Sequence, residues 1–174
     1  LRKSLEGIRI TSFCTDTTRR KAVKNTLMWA HYADSHKGFC VEYEIDKSMF
    51  KIEDPSKLQV ARMHKVDYRS TTNKPLDFSD KKQTLSVQEG FFCKSRDWIY
   101  EHEVRMVLYS PPKIEDYPTI PLHKKSRISA IYFGIKCSRE TIEKVKDALN
   151  GRSIKYYQMC INIKNIHTLT FEEM

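Results

Sequence analysis

The sequence predicts an α+β fold in which mixed or mostly antiparallel sheets are joined by a few short helices. The first observation is that several short segments alternate apolar and polar residues with period two, as a half-buried strand does. The second is that one segment, at about residues 138–150, repeats its apolar residues with the period of an amphipathic helix. Predicted strands outnumber predicted helices, which is typical of the α+β class.

The first three predicted elements are a strand, a short helix and another strand. Residues 8–14 alternate apolar with polar or basic side chains, which predicts a strand. Thr26 is the predicted N-cap of a helix that carries residues 29–34, and Gly38 is predicted to end it in the left-handed conformation. Residues 39–45 alternate clearly, which predicts a strand with one apolar face.

The later elements follow from the same signals. In chain order they are a strand around Val66 within residues 58–68, a helix within 80–93, a strand over 98–109, a strand over 128–135, a helix over 138–150 and a last strand over 154–163. Residues 128–135 are apolar on both faces, which predicts a strand buried on both sides. Ser138 supplies an N-cap for the helix, and Asn150 with Gly151 ends it.

Size and cysteine content indicate the class of protein. A chain of 174 residues with 40% hydrophobic residues can bury one core, so a single domain over residues 1–174 is predicted. It begins at Leu1 instead of Met, which indicates a fragment that lacks its N-terminal part. Five cysteines lie far apart and never form Cys-x-x-Cys, which favours reduced thiols in a cytoplasmic protein. No apolar run approaches the ~20 residues that span a bilayer, so no membrane partner is predicted.

The net charge of +9 makes nucleotides and nucleic acids candidate partners, because a basic protein attracts polyanions. The excess charge is spread out in short clusters, namely Arg19-Arg20-Lys21, Lys81-Lys82 and Lys124-Lys125. Solvated loops explain such clusters more simply than a nucleic-acid interface does. The sequence does not indicate an oligomeric state.

One short segment, residues 27–39, concentrates aromatic and polar side chains. It contains Trp29, His31, Tyr32, Asp34, His36 and Lys37 before Gly38. We interpret it as a short helix with one buried side and one side that faces a polar surface or ligand. His31 and His36 are separated by roughly 140° around a helix, so they do not share a face and no metal site is predicted. For Trp29, His31 and Tyr32, packing and substrate contact both stay open.

A second segment places two glutamates beside an arginine. If residues 98–109 form a strand, Glu101, Glu103 and Arg105 share one face, with the two carboxylates about 7 Å apart. Lys94 adds a cation nearby. One interpretation is an exposed ion pair worth ~0.5 kcal/mol. The other is a site in which one carboxylate has a raised pKa while Arg105 keeps the other ionised.

Both segments resemble the signature of a family of bacterial proteins, the domain-of-unknown-function family 2971. The matching blocks are Leu27-Met-Trp-Ala-His-Tyr-Ala-x-x-His-Lys-Gly38, Lys94-x-x-x-Trp98-x-Tyr100-Glu101-x-Glu103-x-Arg105 and Tyr132-Phe133-Gly134. A Tyr-rich strand that usually lies upstream in the family is absent here, which again indicates a fragment. The family name implies no activity.

The order of an early strand, a His-Tyr helix and a late strand with glutamates also resembles NAD-dependent ADP-ribosyltransferases. This resemblance implies NAD as the substrate and Glu103 as the catalytic carboxylate, with Glu101 beside it. It also implies that Arg9 or His31 holds polar groups of NAD and that Tyr32 stacks on the nicotinamide.

Two hypotheses about function follow. In the first, the chain is a NAD-using ADP-ribosyltransferase-like enzyme or a toxin or phage-defence effector. Its predicted site residues are catalytic Glu103, Glu101 and His31 and substrate-binding Tyr32, Arg9, Trp29, Arg105 and Lys94. In the second, the chain is a nucleic-acid- or protein-binding module without catalysis, and the motifs are structural. The residues by themselves indicate no cofactor.

Overall fold

The computed structural model describes residues 7–46, 51–54, 59–69, 90–109 and 126–174. In chain order the strands are β1 (Ile8–Cys14), β2 (Phe39–Ile45), β3 (Lys51–Asp54), β4 (Gln59–Lys65), β5 (Asp67–Arg69), β6 (Cys93–Ser95), β7 (Glu103–Tyr109), β8 (Ser126–Phe133), β9 (Lys155–Ile161) and β10 (Leu169–Glu173). The helices are α1 (Thr26–Tyr32) and α2 (Arg139–Ala148), with 3₁₀ turns at Ala22–Lys24 and Arg96–Glu101. The predicted α+β class is confirmed.

The chain divides into two compact units. The first unit comprises Leu1–Thr15 and Asp46–Pro121, and the second comprises Asp16–Ile45 and Leu122–Met174. No helix within the described ranges is long and apolar enough to cross a membrane.

The first unit is built on an antiparallel sheet with the strand order β1-β7-β4-β3. Strand β7 is flanked on both sides, and its alternate residues Val104, Met106 and Leu108 are buried. Met106 lies opposite the buried Met63 of β4, which extends this apolar face across the sheet. The short parallel pair of β5 and β6 completes the described part of the unit. Glu103 and Arg105 therefore lie on the opposite face of β7 from the apolar residues.

The second unit is built on a sheet with the strand order β10-β9-β8-β2, in which only β8 and β9 run parallel. Consecutive residues of β8, Tyr132 and Phe133, are 3% and 0% exposed. The prediction of a strand buried on both faces is thus confirmed for this segment. One core cluster contains Val23, Trp29, Ala130, Tyr132, Met159 and Leu169. Strand β2 lies where it was predicted, but Phe39 and Tyr43 of its predicted apolar face are exposed, whereas Cys40 packs against the core. Its register shifts between Glu42 and Tyr43.

Helix α2 confirms the predicted amphipathic helix. The Ser138 hydroxyl accepts the backbone N–H of Thr141 at 3.1 Å, and Gly151 beyond the helix has φ of 78°. The apolar residues of its stripe, such as Ile142, are half-buried, and none of its residues is fully buried. The helix therefore buries its apolar stripe only in part.

The details of α1 differ from the prediction. Its N-cap is Asn25, whose side chain accepts the N–H of Leu27 at 3.2 Å, and Thr26 is the first helical residue. An asparagine carbonyl caps as well as a threonine hydroxyl does, so the sequence offered two adjacent candidates. The left-handed residues after the helix are Asp34, Ser35 and His36, with φ of 44°, 52° and 70°, and they do not include Gly38.

The predicted strand over 98–109 is wrong in its first half. Ser95 accepts the N–H of Asp97 at 3.4 Å and starts the 3₁₀ turn Arg96–Glu101. His102 then adopts φ of 44°, and β7 begins at Glu103. Side-chain capping by a serine competes locally with an extended backbone, which explains the failure of the period-two pattern here. Glu101 therefore does not share a strand face with Glu103.

Two further predictions are refined. The strand within 58–68 is divided into β4 and β5 by Val66, whose N–H donates to the carbonyl of Glu103 at 2.9 Å. The strand predicted over 154–163 is found as β9, and β10, which the sequence did not predict, follows it. The helix predicted within 80–93 falls almost entirely outside the described residues.

Candidate functional site

Two glutamates and two cations form an ion cluster in the first unit, consisting of Lys94, Glu101, Glu103 and Arg105. The two glutamates are 3% and 5% exposed. Lys94 Nζ donates to Oε2 of Glu101, and it lies 3.3 Å from Oε2 of Glu103. Arg105 donates from Nε to Oε1 of Glu103 at 2.7 Å and from Nη2 to Oε2 at 3.2 Å. The cluster thus joins two carboxyl groups to two basic side chains.

Three local elements place these side chains. Lys94 is the central residue of β6, Glu101 ends the 3₁₀ turn and Glu103 begins β7. The left-handed residue His102 redirects the chain between the two glutamates, and its carbonyl accepts both the N–H and the hydroxyl of Thr15, at 3.2 and 3.1 Å. The carboxylates meet at one ammonium because of this reversal and not because of strand periodicity.

The cluster is anchored by groups that the sequence did not reveal. The hydroxyl of Tyr68 accepts the backbone N–H of Glu103 at 2.8 Å. Arg105 Nη1 donates to the carbonyl of Phe91 at 2.7 Å, and Ser12 hydrogen-bonds the Glu103 side chain. Tyr68 and Ser12 are distant in sequence from Glu103, so no local pattern could have identified them.

The electrostatics of the cluster keep Glu103 ionised. Burial raises the pKa of its carboxyl, but hydrogen bonds from Arg105 and Ser12 and the charges of Arg105 and Lys94 outweigh burial and lower the pKa to about 2. Burial lowers the pKa of Lys94, yet its contacts with both glutamates raise it above its ordinary value. Both groups are therefore charged at neutral pH.

An aromatic ring lies beside the ammonium of this cluster. Lys94 Nζ is 4.8 Å from the centroid of the Trp98 ring, a cation–π distance. Trp98 is 37% exposed, and the Lys94 side chain is 22% exposed. Lys94 and Trp98 therefore form the solvent-facing part of a site whose carboxylates are buried.

Trp29 in the second unit has the environment of a core residue. It is 3% exposed, and its indole Nε1 donates to the carbonyl of Val23 at 2.6 Å. Its ring stacks on His36 with a centroid distance of 6.3 Å and an interplanar angle of 11°. These contacts favour packing for Trp29 over contact with a substrate.

The left-handed residues Asp34, Ser35 and His36 connect two of the sequence blocks within the second unit. The carbonyl of His36 accepts the N–H of Lys136 at 3.0 Å, and the carbonyl of Gly38 accepts the N–H of Gly134 at 2.9 Å. A Cβ on Gly134 would lie 2.7 Å from the carbonyl carbon of His36, so only glycine permits this approach. Close backbone packing thus explains the glycine at position 134.

The predicted site residues fall into separate groups. Lys94, Glu101, Glu103 and Arg105 are brought together in the first unit, whereas Trp29, His31 and Tyr32 lie on α1 in the second unit. His31 and Tyr32 are exposed, and their rings make an edge contact with centroids 6.4 Å apart.

Arg9 lies away from the ion cluster along the sheet of the first unit. Arg9 pairs with Leu108, whereas Cys14 pairs with Glu103. Arg9 is therefore five residues along β1 from Cys14, the residue that lies opposite Glu103 of the cluster. Five residues of extended strand correspond to about 17 Å. In the described ranges no group of three or more His, Cys, Asp or Glu residues could hold a metal ion.

Comparisons with known proteins find a match to one family model. The family model described as "Protein of unknown function (DUF2971)" matches residues 28–106, a range that contains nearly all of the α1 motif and the whole Lys94–Arg105 motif. The resemblance to this family that the sequence motifs predicted is thus confirmed over residues 28–106. Neither the search of curated proteins nor the search of solved structures finds a match.

Proposed function

We propose that the chain is a NAD-using transferase that resembles ADP-ribosyltransferases, with Glu103 as its catalytic carboxylate. The observation that carries the proposal is a buried glutamate kept ionised by Arg105 and Lys94. When the C1′–N bond of NAD breaks, nicotinamide leaves with the bonding electrons and the ribose becomes an oxocarbenium-like cation. An ionised carboxylate stabilises that cation until an acceptor adds to C1′ and loses its proton.

The energetic cost of the cluster supports a functional role. Burying an ion pair removes the hydration of both charges, and the attraction between the charges offsets this cost only when their geometry is good. Apolar residues of similar volume are often at least as stabilising. Titratable groups with strongly shifted pKa values are frequent at functional sites. A site explains why this unit carries Glu101 and Glu103 in a buried position.

Lys94 is the member of the cluster best placed to meet a substrate. It is the most exposed of the four, and its ammonium lies between the carboxylates and the Trp98 ring. The pyrophosphate of NAD would attract this ammonium and draw it away from Glu103, which would expose the carboxylate. The Trp98 ring offers a face on which a planar group can stack.

The second candidate is a binding module without catalysis, in which the motifs are structural. It is favoured by the mutual satisfaction of the cluster, because Lys94 and Arg105 together contact both oxygens of Glu103 and tie β6 to β7. The contacts of Trp29 and Gly134 serve packing in the same way.

Nicotinamide release from NAD by the complete protein tests the proposal. The wild type is expected to release nicotinamide, and Glu103→Gln is expected to lower the rate by about 100-fold or more, as the loss of a charge-stabilising group does. Glu44→Gln is the matched control, because Glu44 forms an exposed ion pair with Arg127 at 2.7 Å. This control should retain the wild-type rate.

Thermal unfolding of each variant is measured in parallel to separate catalysis from folding. A wild type without nicotinamide release, or a folded Glu103→Gln variant with the wild-type rate, contradicts the transferase proposal and favours the binding module.

A further inference from the structure

We infer that the basic segment of residues 19–24 is a binding site for the phosphodiester backbone of nucleic acid. The second unit contains 15 Lys and Arg residues against 9 Asp and Glu, so it carries six of the nine net positive charges. Four of its cations, Arg19, Arg20, Lys21 and Lys24, occur within six residues. This basic segment belongs to the second unit and the ion cluster to the first, and the inference is independent of the transferase proposal.

The backbone that presents the two arginines is fixed by side-chain hydrogen bonds. The hydroxyl of Thr17 accepts the N–H of Arg19 at 3.3 Å and of Arg20 at 3.0 Å, and the Thr17 N–H donates to the carbonyl of Arg20 at 2.9 Å. The carboxylate of Asp16 accepts the N–H of Ala22 at 2.8 Å. A preordered turn loses less conformational entropy when it binds a ligand.

The two lysines are held beside one aromatic ring. Lys21 Nζ and Lys24 Nζ lie 5.9 and 5.4 Å from the centroid of the Phe171 ring. That ring packs on Tyr157, with centroids 5.1 Å apart, at the edge of the core. The ring positions both ammoniums while leaving their N–H donors available to an anion.

The charges of the basic segment are not neutralised by neighbouring acids. Across the part of the chain that the structure describes, none of the four cations forms an ion pair with a carboxylate. The cations of α2 behave differently, since Arg139 pairs with Glu143 at 3.0 Å and Lys144 pairs with Glu140. Positive charges that are held close together repel one another and raise the local electrostatic potential, and negatively charged phosphates reduce this repulsion.

The chemistry favours phosphates over bases as the groups recognised. Arginine forks bind phosphate oxygens in bidentate fashion, and lysines bind them as point charges. Contacts of this kind carry no sequence information, so we expect binding that is independent of sequence. If the segment neutralises at most about four phosphates, the slope of log Kobs against log salt is about −3.6 on duplex DNA.

The test is fluorescence anisotropy of a labelled duplex of about 20 base pairs, titrated with the complete protein over a range of salt concentrations. Two double variants, Arg19→Gln with Arg20→Gln and Lys21→Gln with Lys24→Gln, should each reduce the size of the slope by about 1.8. The matched control is Arg139→Gln with Lys144→Gln, which removes the same charge from the same unit but from paired residues. We expect it to change the slope by less than about 0.5.

Several outcomes overturn the inference. One is the absence of binding at low salt, and another is an equal loss of slope in the control variant. A third is competition by polyglutamate with the same salt slope as the duplex, which would identify an acidic polypeptide as the ligand. Circular dichroism verifies that each variant is folded. Lys24 is half-buried, so the exposed arginine pair decides the result if the lysine variant unfolds.

Discussion

Replacing Glu103 with glutamine tests whether the ionised Glu103 carboxylate stabilises the folded protein. Its pKa is about 2 in the structure against an ordinary value of 4.5, a difference of about 2.5 units. At about 1.36 kcal/mol per unit, the ionised carboxylate contributes about 3 kcal/mol to the free energy of unfolding.

The sign of the effect follows from the direction of the shift. Because the folded-state pKa is depressed, the contribution of Glu103 is present above the unfolded pKa of about 4.5 and is lost as the pH falls through about 2. The glutamine side chain of the variant cannot titrate. The unfolding free energies of wild type and Glu103→Gln should therefore differ at pH 7 and converge as the pH approaches 2.

Urea unfolding followed by circular dichroism at pH 7, 5, 4, 3 and 2 measures this difference. At pH 7 the variant also leaves Arg105 and Lys94 with one carboxylate, so a destabilisation of about 3–5 kcal/mol is expected there. Glu44→Gln should follow the wild type closely, because its ion pair with Arg127 is open to solvent. Parallel curves for wild type and Glu103→Gln, with a constant gap at every pH, would refute the reasoning.

Three further substitutions test the packing of the second unit, each by the midpoint of thermal unfolding. Gly134→Ala should destabilise by about 2 kcal/mol or more, because the new Cβ meets the His36 carbonyl, and an unchanged midpoint would contradict that contact. Trp29→Phe should cost about 1–3 kcal/mol, since it leaves the buried carbonyl of Val23 without its indole donor, and a midpoint equal to wild type would argue against that hydrogen bond. Ile163→Ser should change stability by less than about 0.5 kcal/mol, because Ile163 is 95% exposed, and a large loss would show that this side chain is packed.

Elements with a strong local signal were predicted well. Helix α2 was identified by a capping serine and an apolar stripe, and β8 by a run of residues that are apolar on both faces. Both signals depend on residues close in sequence, where backbone preference and burial agree. The resemblance to the family was likewise predicted from the motifs, and the family model matches residues 28–106.

The residues of the ion cluster were predicted, but the backbone conformation that brings them together was not. Sequence spacing placed Glu101 and Glu103 beside Arg105, and Lys94 was noted as a nearby cation. The 3₁₀ turn and the left-handed His102 overrode the period-two pattern, because a serine cap and a reversal bury the glutamates against Lys94. The burial of both glutamates also excludes the exposed ion pair that was one of the two interpretations of the spacing.

Local sequence was sufficient to predict the α+β class, the amphipathic helix, the buried strand β8 and the resemblance to the family, because each depends on residue types at fixed short spacing. Three other features became visible only in the assembled fold: the burial of Glu101 and Glu103, the support of Glu103 by Tyr68 and Ser12, and the core position of Trp29. Contacts between residues distant along the chain form only when the sheets assemble. Desolvation and hydrogen bonding in those contacts, which no local pattern encodes, set the ionisation of the site.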